Sequence, residues 1–122
     1  TKIYVKEISK ISEKNLINSA AHITGGGLVE NILRSIPKNL SLNIDLSSIK
    51  IHKIFKWLKK NNISDKEMLK TFNCGVGFCL IVSSKNLGKI KKYFSKEFRP
   101  YPIGKIIKGK DKVKLNAKID WN

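Results

Sequence analysis

Arginine is nearly missing from this sequence: two residues among 122, against 23 lysines. Selection for phosphate or guanine contacts favours arginine, whose planar fork makes bidentate bonds to both. A lysine-rich surface without it reads first as solvated charge. Acidic residues are also scarce, nine in all, and the formal net charge is +16. That charge keeps a basic nucleic-acid-binding domain open as an alternative of a different class. Lys, Ile and Asn fill 52 of the 122 positions, the bias of an A- and T-rich coding sequence, which adds lysine wherever the surface tolerates it. Cysteine occurs only as Cys74 and Cys79. Two thiols exclude a disulfide framework, and neither has a partner at metal-binding spacing, so no metal ligands are expected. Buried thiols in a reducing compartment, the cytoplasm, are the expectation. No window approaches the roughly 20 uninterrupted apolar residues of a membrane span, and no secretory leader opens the chain. One soluble domain fits the length. The first residue is Thr1, which suggests a piece of something longer.

The apolar share is 41%, enough for a core, and its spacing outlines the elements. Tyr4 and Val5 predict a short strand, and Ser12 an N-cap for a helix over residues 13–21, where Leu16, Ile17 and Ala20 share a face. Residues 22–27 break the pattern. Val29, Ile32, Leu33 and Ile36 then follow helical spacing, ended by Pro37. Leu40, Leu42, Ile44 and Leu46 alternate as a strand, and Ile51, Ile54, Phe55 and Leu58 return to a helix with lysines outside. Ser64 or Asp65 caps a further helix through Thr71. Residues 76–82 form a continuous apolar run of strand length, of the kind buried on both faces. Leu87, Ile90 and Phe94 mark a last helix. Strands near residues 103–108 and 113–119, with a turn over residues 109–111, predict a terminal hairpin. The class is α+β, a mixed sheet with helices packed on it.

Chemistry concentrates at His22, Ile23, Thr24, Gly25, Gly26, Gly27, directly before an amphipathic helix. Three glycines remove every Cβ from the approach to a helix N-terminus, so backbone N–H groups can close on an anion that the helix dipole already favours. A phosphate is the natural ligand. The stretch is neither the nucleotide P-loop nor the spaced-glycine dinucleotide fingerprint, and a tight turn with close packing explains three glycines equally well. Thr24 adds a hydroxyl for cap or phosphate. His22 can transfer a proton, donate to an anion, or simply be satisfied by backbone. His52 stands among lysines without a chemical neighbour. A second stretch, Thr71-Phe72-Asn73-Cys74-Gly75-Val76-Gly77-Phe78, offers Asn73 as donor and acceptor, with Gly75 and Gly77 permitting close backbone approach. Cys74 as a nucleophile needs an activating base, and sequence places none beside it.

Taken together, Thr1-Lys2-Ile3-Tyr4-Val5-Lys6, Ala21-His22-Ile23-Thr24-Gly25-Gly26-Gly27-Leu28 with Glu30-Asn31-Ile32 and Arg34, Phe55 with Trp57-Leu58, and Glu67-Met68 with Thr71-Phe72-Asn73-Cys74-Gly75-Val76-Gly77 resemble the C-terminal domain of the phosphoribosylformylglycinamidine cyclo-ligases, or AIR synthases. The likeness runs over nearly all 122 residues and over only the second half of a family chain. Departures are local. Leu33 stands where the family has proline, Ile49 where it has tryptophan, His52 where proline is common, and Lys70 where it has arginine, which keeps the charge and loses the fork.

The resemblance implies a step of purine synthesis in which ATP, with Mg2+, activates the formyl oxygen of formylglycinamidine ribonucleotide and a nitrogen closes the imidazole ring. It implies a cleft between two domains, with ATP, Mg2+ and the homodimer interface supplied mainly by an N-terminal domain that this chain does not contain. His22 is then the catalytic candidate, and Thr24, Gly25, Gly26, Gly27, Asn31, Arg34, Asn73 and Gly75 are candidates for substrate or phosphate. No membrane and no specific nucleic acid is expected as partner. The competing enzyme reading is another ATP-dependent synthetase or kinase of the same superfamily.

Overall fold

The computed structural model describes residues 2–110 and 112–122. Five α-helices and five β-strands interleave along these described residues, and the class is α+β.

The chain opens on a helix, α1 (Val5–Glu13), where the sequence predicts a strand. Ile8 and Ile11 stand three residues apart on one helical side, and burying them with Ile90 and Phe94 stabilises a helix that local propensity leaves open. Asn15, in the left-handed region at φ 54°, then turns the chain. The predicted helix over residues 13–21 does not form. Ser12 lies in the last turn of α1, and Ser19–His22 is a strand, β1. Pairing decides this segment: β1 lies antiparallel to β3 (Phe78–Ile81), with Ala21 opposite Cys79 and His22 opposite Phe78.

The apolar run over residues 76–82 does not become a central strand buried on both sides. β3 is short, pairs among the described residues only with β1, and fully buries Cys79 alone of its four residues. Its two faces serve two apolar clusters. Ala21 and Cys79 join Ile23, Leu28, Ile32, Leu42 and Ile44 in the larger one. Leu80, one residue on and so on the other face, packs against Ile11, Ile90 and Phe94 in the smaller. The same alternation puts His22 and Phe78 on the face of Leu80.

Helix α2 (Gly27–Arg34) buries Leu28 and Ile32. Strand β2 (Leu40–Asp45) brings Leu42 and Ile44 to the same core. It is the middle of the second sheet, antiparallel to β4 (Gly104–Lys108) and parallel to β5 (Lys114–Asn116). The predicted terminal hairpin is therefore corrected: β4 and β5 flank β2 instead of pairing with each other. The Gly109 N–H donates to the Asn39 carbonyl at 3.0 Å, which carries the chain across the start of β2 at a glycine with φ +115°. Asp111, within the predicted turn, lies outside the described residues.

Between β2 and β3 in the chain come α3 (Lys53–Lys59) and α4 (Asp65–Thr71), followed after β3 by α5 (Leu87–Lys91). Ser64 is the N-cap of α4, its hydroxyl accepting the Glu67 N–H at 3.2 Å. Trp121 donates to the Asp65 carboxylate at 3.1 Å, and Lys59 reaches that carboxylate at 2.8 Å. The Lys59 contact holds the Asp65 carboxyl below its usual range. Among the described residues no helix is long and apolar enough to cross a membrane.

Candidate functional site

The loop after β1 begins under tension between two demands. Ile23 turns into the core, and its N–H donates to the Gly77 carbonyl at 3.0 Å. His22 and Thr24 alternate with it and face solvent. The chain then closes a turn, the Gly27 N–H donating to the Thr24 carbonyl at 3.1 Å, and α2 starts. Among the described residues no backbone carbonyl takes the N–H of Gly25 or Gly26, so both remain available where the α2 dipole is positive.

The three glycines are not equivalent. At Gly27, φ is +75°, and a Cβ would lie 1.8 Å from the Leu69 carbonyl oxygen. That glycine lets the start of α2 rest on the backbone of α4. At Gly26, φ is +95°, and a Cβ would meet only the flexible end of Glu30 at 2.5 Å, so conformation is the stricter requirement there. Gly25 has neither constraint: its φ lies outside the left-handed region, and nothing stands within 4 Å of a Cβ built on it. The turn-and-packing account therefore explains Gly26 and Gly27 and leaves Gly25 free for a ligand.

Asn31 holds this loop from below. It is 8% exposed, and its side-chain amide donates to the carbonyls of Gly27 at 2.7 Å, Gly25 at 3.2 Å and Thr24 at 3.3 Å. Those bonds turn the three carbonyls toward the helix. Arg34 sits at the other end of α2, about 10 Å along the axis, ion-paired with Glu30. Its guanidinium turns back through Glu30, whose carboxylate would lie 2.5 Å from a Cβ on Gly26. Arg34, Lys66 and Lys70 line a mostly apolar groove of about 630 Å³ between α2 and α4 that reaches Gly26.

The second stretch is a turn of its own. The Asn73 carboxamide oxygen accepts the Gly75 N–H at 2.9 Å, and the Asn73 carbonyl accepts the Val76 N–H at 2.9 Å. Cys74 and Gly75 both have positive φ, 54° and 104°, and a Cβ on Gly75 would press on the Lys50 carbonyl at 2.8 Å and the His52 ring at 3.1 Å. Asn73 and Gly75 thus shape this turn against residues 50–52, and His52 has a neighbour that the sequence does not reveal. Burial pushes the thiols of Cys74 and Cys79 up to about 11 and about 12, so both are neutral at physiological pH, as the sequence predicts for buried cysteines.

Sequence reasoning misses Tyr4. It stands before α1, and a Cβ on Gly77 would lie 2.3 Å from its hydroxyl. Its ring is 5.2 Å from Phe78, 5.7 Å from Phe98 and 6.5 Å, edge-on, from the His22 imidazole. Phe78 in turn stacks on His22 at 5.9 Å with 27° between planes. Desolvation raises the Tyr4 hydroxyl above its ordinary value. Gly77, flagged for close backbone approach, is the signal that could have pointed to a ring lying over it.

Comparison with known proteins places this geometry. Residues 1–116 match the family described as AIR synthase related protein, C-terminal domain. The chain belongs to that family. Its glycine loop, Asn31 and the Asn73 turn all fall within the match. Among curated relatives, a phosphoribosylformylglycinamidine cyclo-ligase of Neisseria gonorrhoeae is 43% identical over 96 residues, 78% of this chain and 28% of the relative. A bifunctional purine biosynthetic protein of Pichia angusta is 42% identical over 113 residues, 91% of this chain and 14% of the relative. The trifunctional purine biosynthetic protein adenosine-3 of Gallus gallus is 40% identical over 120 residues, 95% of this chain and 12% of the relative. The chain spans between 12% and 28% of the length of these relatives.

Proposed function

We propose that this chain is the C-terminal portion of a phosphoribosylformylglycinamidine cyclo-ligase. The whole enzyme closes the imidazole ring of formylglycinamidine ribonucleotide, using ATP, to give aminoimidazole ribonucleotide, ADP and phosphate. Within it, the loop of Thr24, Gly25 and Gly26 holds a phosphate of the ribonucleotide or the phosphoryl group in transfer. The observation that carries this reading is Gly25, an exposed glycine at a helix N-terminus that the fold itself does not require.

Each residue has a distinct task in this reading. The N–H groups of Gly25 and Gly26 donate to phosphate oxygens, the α2 dipole adds its positive end, and Thr24 offers a hydroxyl. Lys70 contributes charge from the neighbouring groove. Asn31 orients the loop without touching ligand, Asn73 and Gly75 shape the adjoining turn, and His22 faces the bound molecule from the strand edge. ATP supplies the phosphoryl group that makes the formyl oxygen a leaving group. Among the described residues no three His, Cys, Asp or Glu side chains converge on a metal position, and Glu30, the carboxylate nearest the loop, is paired with Arg34. These residues do not fit a Mg2+ site, and no step runs through the metal here. We assign Mg2+, the body of ATP and the homodimer contact to the N-terminal domain of the same cytoplasmic enzyme.

The test is a chimera in which this chain replaces the matching segment of the Neisseria gonorrhoeae enzyme. Aminoimidazole ribonucleotide forms with the chimera and not with the isolated chain. Turnover by the chain alone, or a folded chimera without turnover, refutes the proposal. In the chimera, His22→Ala and Gly25→Val lower activity far more than His52→Ala; equal effects mean the loop is only structural. Gly26→Val is the poorer probe, since φ +95° makes any loss there a folding effect as well. A nucleic-acid-binding domain would instead lose affinity for DNA or RNA steeply with salt.

A further inference from the structure

The aromatic row Phe98, Tyr4, Phe78, His22 ends beside the phosphate loop, and its first three rings have no task in the reading above. Four segments distant in sequence build it: the residue before α1, the end of β1, the start of β3 paired with it, and the turn of residues 96–98. Antiparallel pairing sets His22 directly opposite Phe78, and the two rings stack at 5.9 Å. Tyr4 comes edge-on to the imidazole at 6.5 Å, admitted by the missing Cβ of Gly77. Phe98 backs Tyr4 at 5.7 Å, nearly perpendicular, and the Lys2 ammonium lies over Phe98 at 5.1 Å. Every ring of the row is at least partly covered except His22, which is exposed. Two rings, Phe78 and Tyr4, touch the imidazole and fix its plane, and the exposed ring is thereby presented as a flat surface.

We infer that His22, held in plane by the positioning residues Tyr4 and Phe78, is a stacking seat for the planar, nitrogen-containing part of a ligand whose phosphate lies on the Thr24 to Gly26 loop. The inference rests on the phosphate reading of that loop. His22 and Thr24 stand two residues apart on the same side of the chain, so one phosphorylated ribose can bridge loop and seat. Flat conjugated groups gain from such a platform, and stacking on one aromatic side chain is worth about tenfold in affinity.

The experiment titrates this chain with three probes: inorganic phosphate, ribose 5-phosphate and aminoimidazole ribonucleotide. The ring-bearing probe binds about tenfold more tightly than ribose 5-phosphate. His22→Ala removes that gain, so that the ring-bearing probe binds no more tightly than ribose 5-phosphate. His22→Phe, which keeps a ring at an exposed position, retains the gain, as does Tyr4→Phe; Tyr4→Leu reduces it. No gain in the parent chain, a gain that survives His22→Ala, or equal loss in His22→Phe and His22→Ala overturns the inference while leaving the phosphate loop standing. The loop reading fails separately, if Gly25→Val binds all three probes as the parent does. If no probe binds at all, both fall.

Discussion

Replacing Gly27 and Gly25 one at a time by alanine separates what the fold requires from what a ligand requires. The two residues are neighbours but one, and the change is the same single methyl group. At Gly27 the new side chain forces an L residue into the left-handed region, which costs about 1–2 kcal/mol. Its Cβ would also stand 1.8 Å from the Leu69 carbonyl oxygen, so α2 and α4 must part by about 1.5 Å, with an overpacking cost of about 1–3 kcal/mol. The sum is about 2–5 kcal/mol, out of a total near 6–18 kcal/mol for a chain of this length. At about 4 °C per kcal/mol, the melting temperature falls by about 8–20 °C. Gly25→Ala meets no atom within 4 Å and needs no unusual φ. It loses freedom mainly in the unfolded chain, so stability stays within about 1 kcal/mol and moves upward if anything. Thermal unfolding followed by far-ultraviolet circular dichroism, with urea titrations to check that the slope is unchanged, reads both. A Gly27→Ala protein melting within about 2 °C of the parent refutes the packing argument, and so does a Gly25→Ala protein that falls as far. The stable Gly25→Ala protein also binds inorganic phosphate more weakly than the parent, because its methyl group stands in the anion's approach.

Asn31→Leu keeps the volume and removes the donors to three carbonyls, costing about 1–3 kcal/mol by urea unfolding at pH 7, and phosphate affinity falls with it. Asn31→Asp is worse at that pH, since a carboxylate then faces carbonyl oxygens; a neutral result for both variants refutes the loop-clamp role. The thiols give a pH prediction. Cys74 and Cys79 titrate near 11 and 12 in the folded chain and near their ordinary value, about 9, when unfolded. Above pH 9 the unfolded state therefore holds fewer protons, and stability present at neutral pH is lost as pH rises, by about 1.5 kcal/mol per thiol at pH 10. Unfolding at pH 7 and pH 10 in the parent and in a Cys74→Ala, Cys79→Ala double variant measures it; equal alkaline losses in the two proteins refute the assignment.

The elements legible in the sequence are those whose evidence is local. Helices α2, α3 and α4 carry an apolar face at helical spacing, and Ser64 announces the start of α4. Strand β2 shows plain alternation. The misread segments owe their structure to distant partners. Ser-Ala-Ala-His has little strand propensity, and only pairing with β3 makes β1 a strand. Val5–Glu13 is a helix because Ile90 and Phe94 cover Ile11. The terminal hairpin fails because β2 outcompetes each of its strands for the other. At the site, three glycines before a helix reveal the loop, but their division into one packing, one conformational and one free position needs coordinates. Tyr4 is 18 positions from His22 and 74 from Phe78 in the sequence, and no local pattern joins them.

The same distinction between local and long-range settles what the charge of +16 can do. At physiological ionic strength an exposed lysine is screened beyond about 8 Å, so most of the 23 lysines create a general attraction for anions and no preference among them. Preference has to come from groups in contact. Here those are the backbone of a loop aimed by Asn31 and a ring held by Tyr4 and Phe78. A surface this basic concentrates phosphates of every kind, and the small corner at residues 22–26 is where one phosphorylated ligand can be told from another.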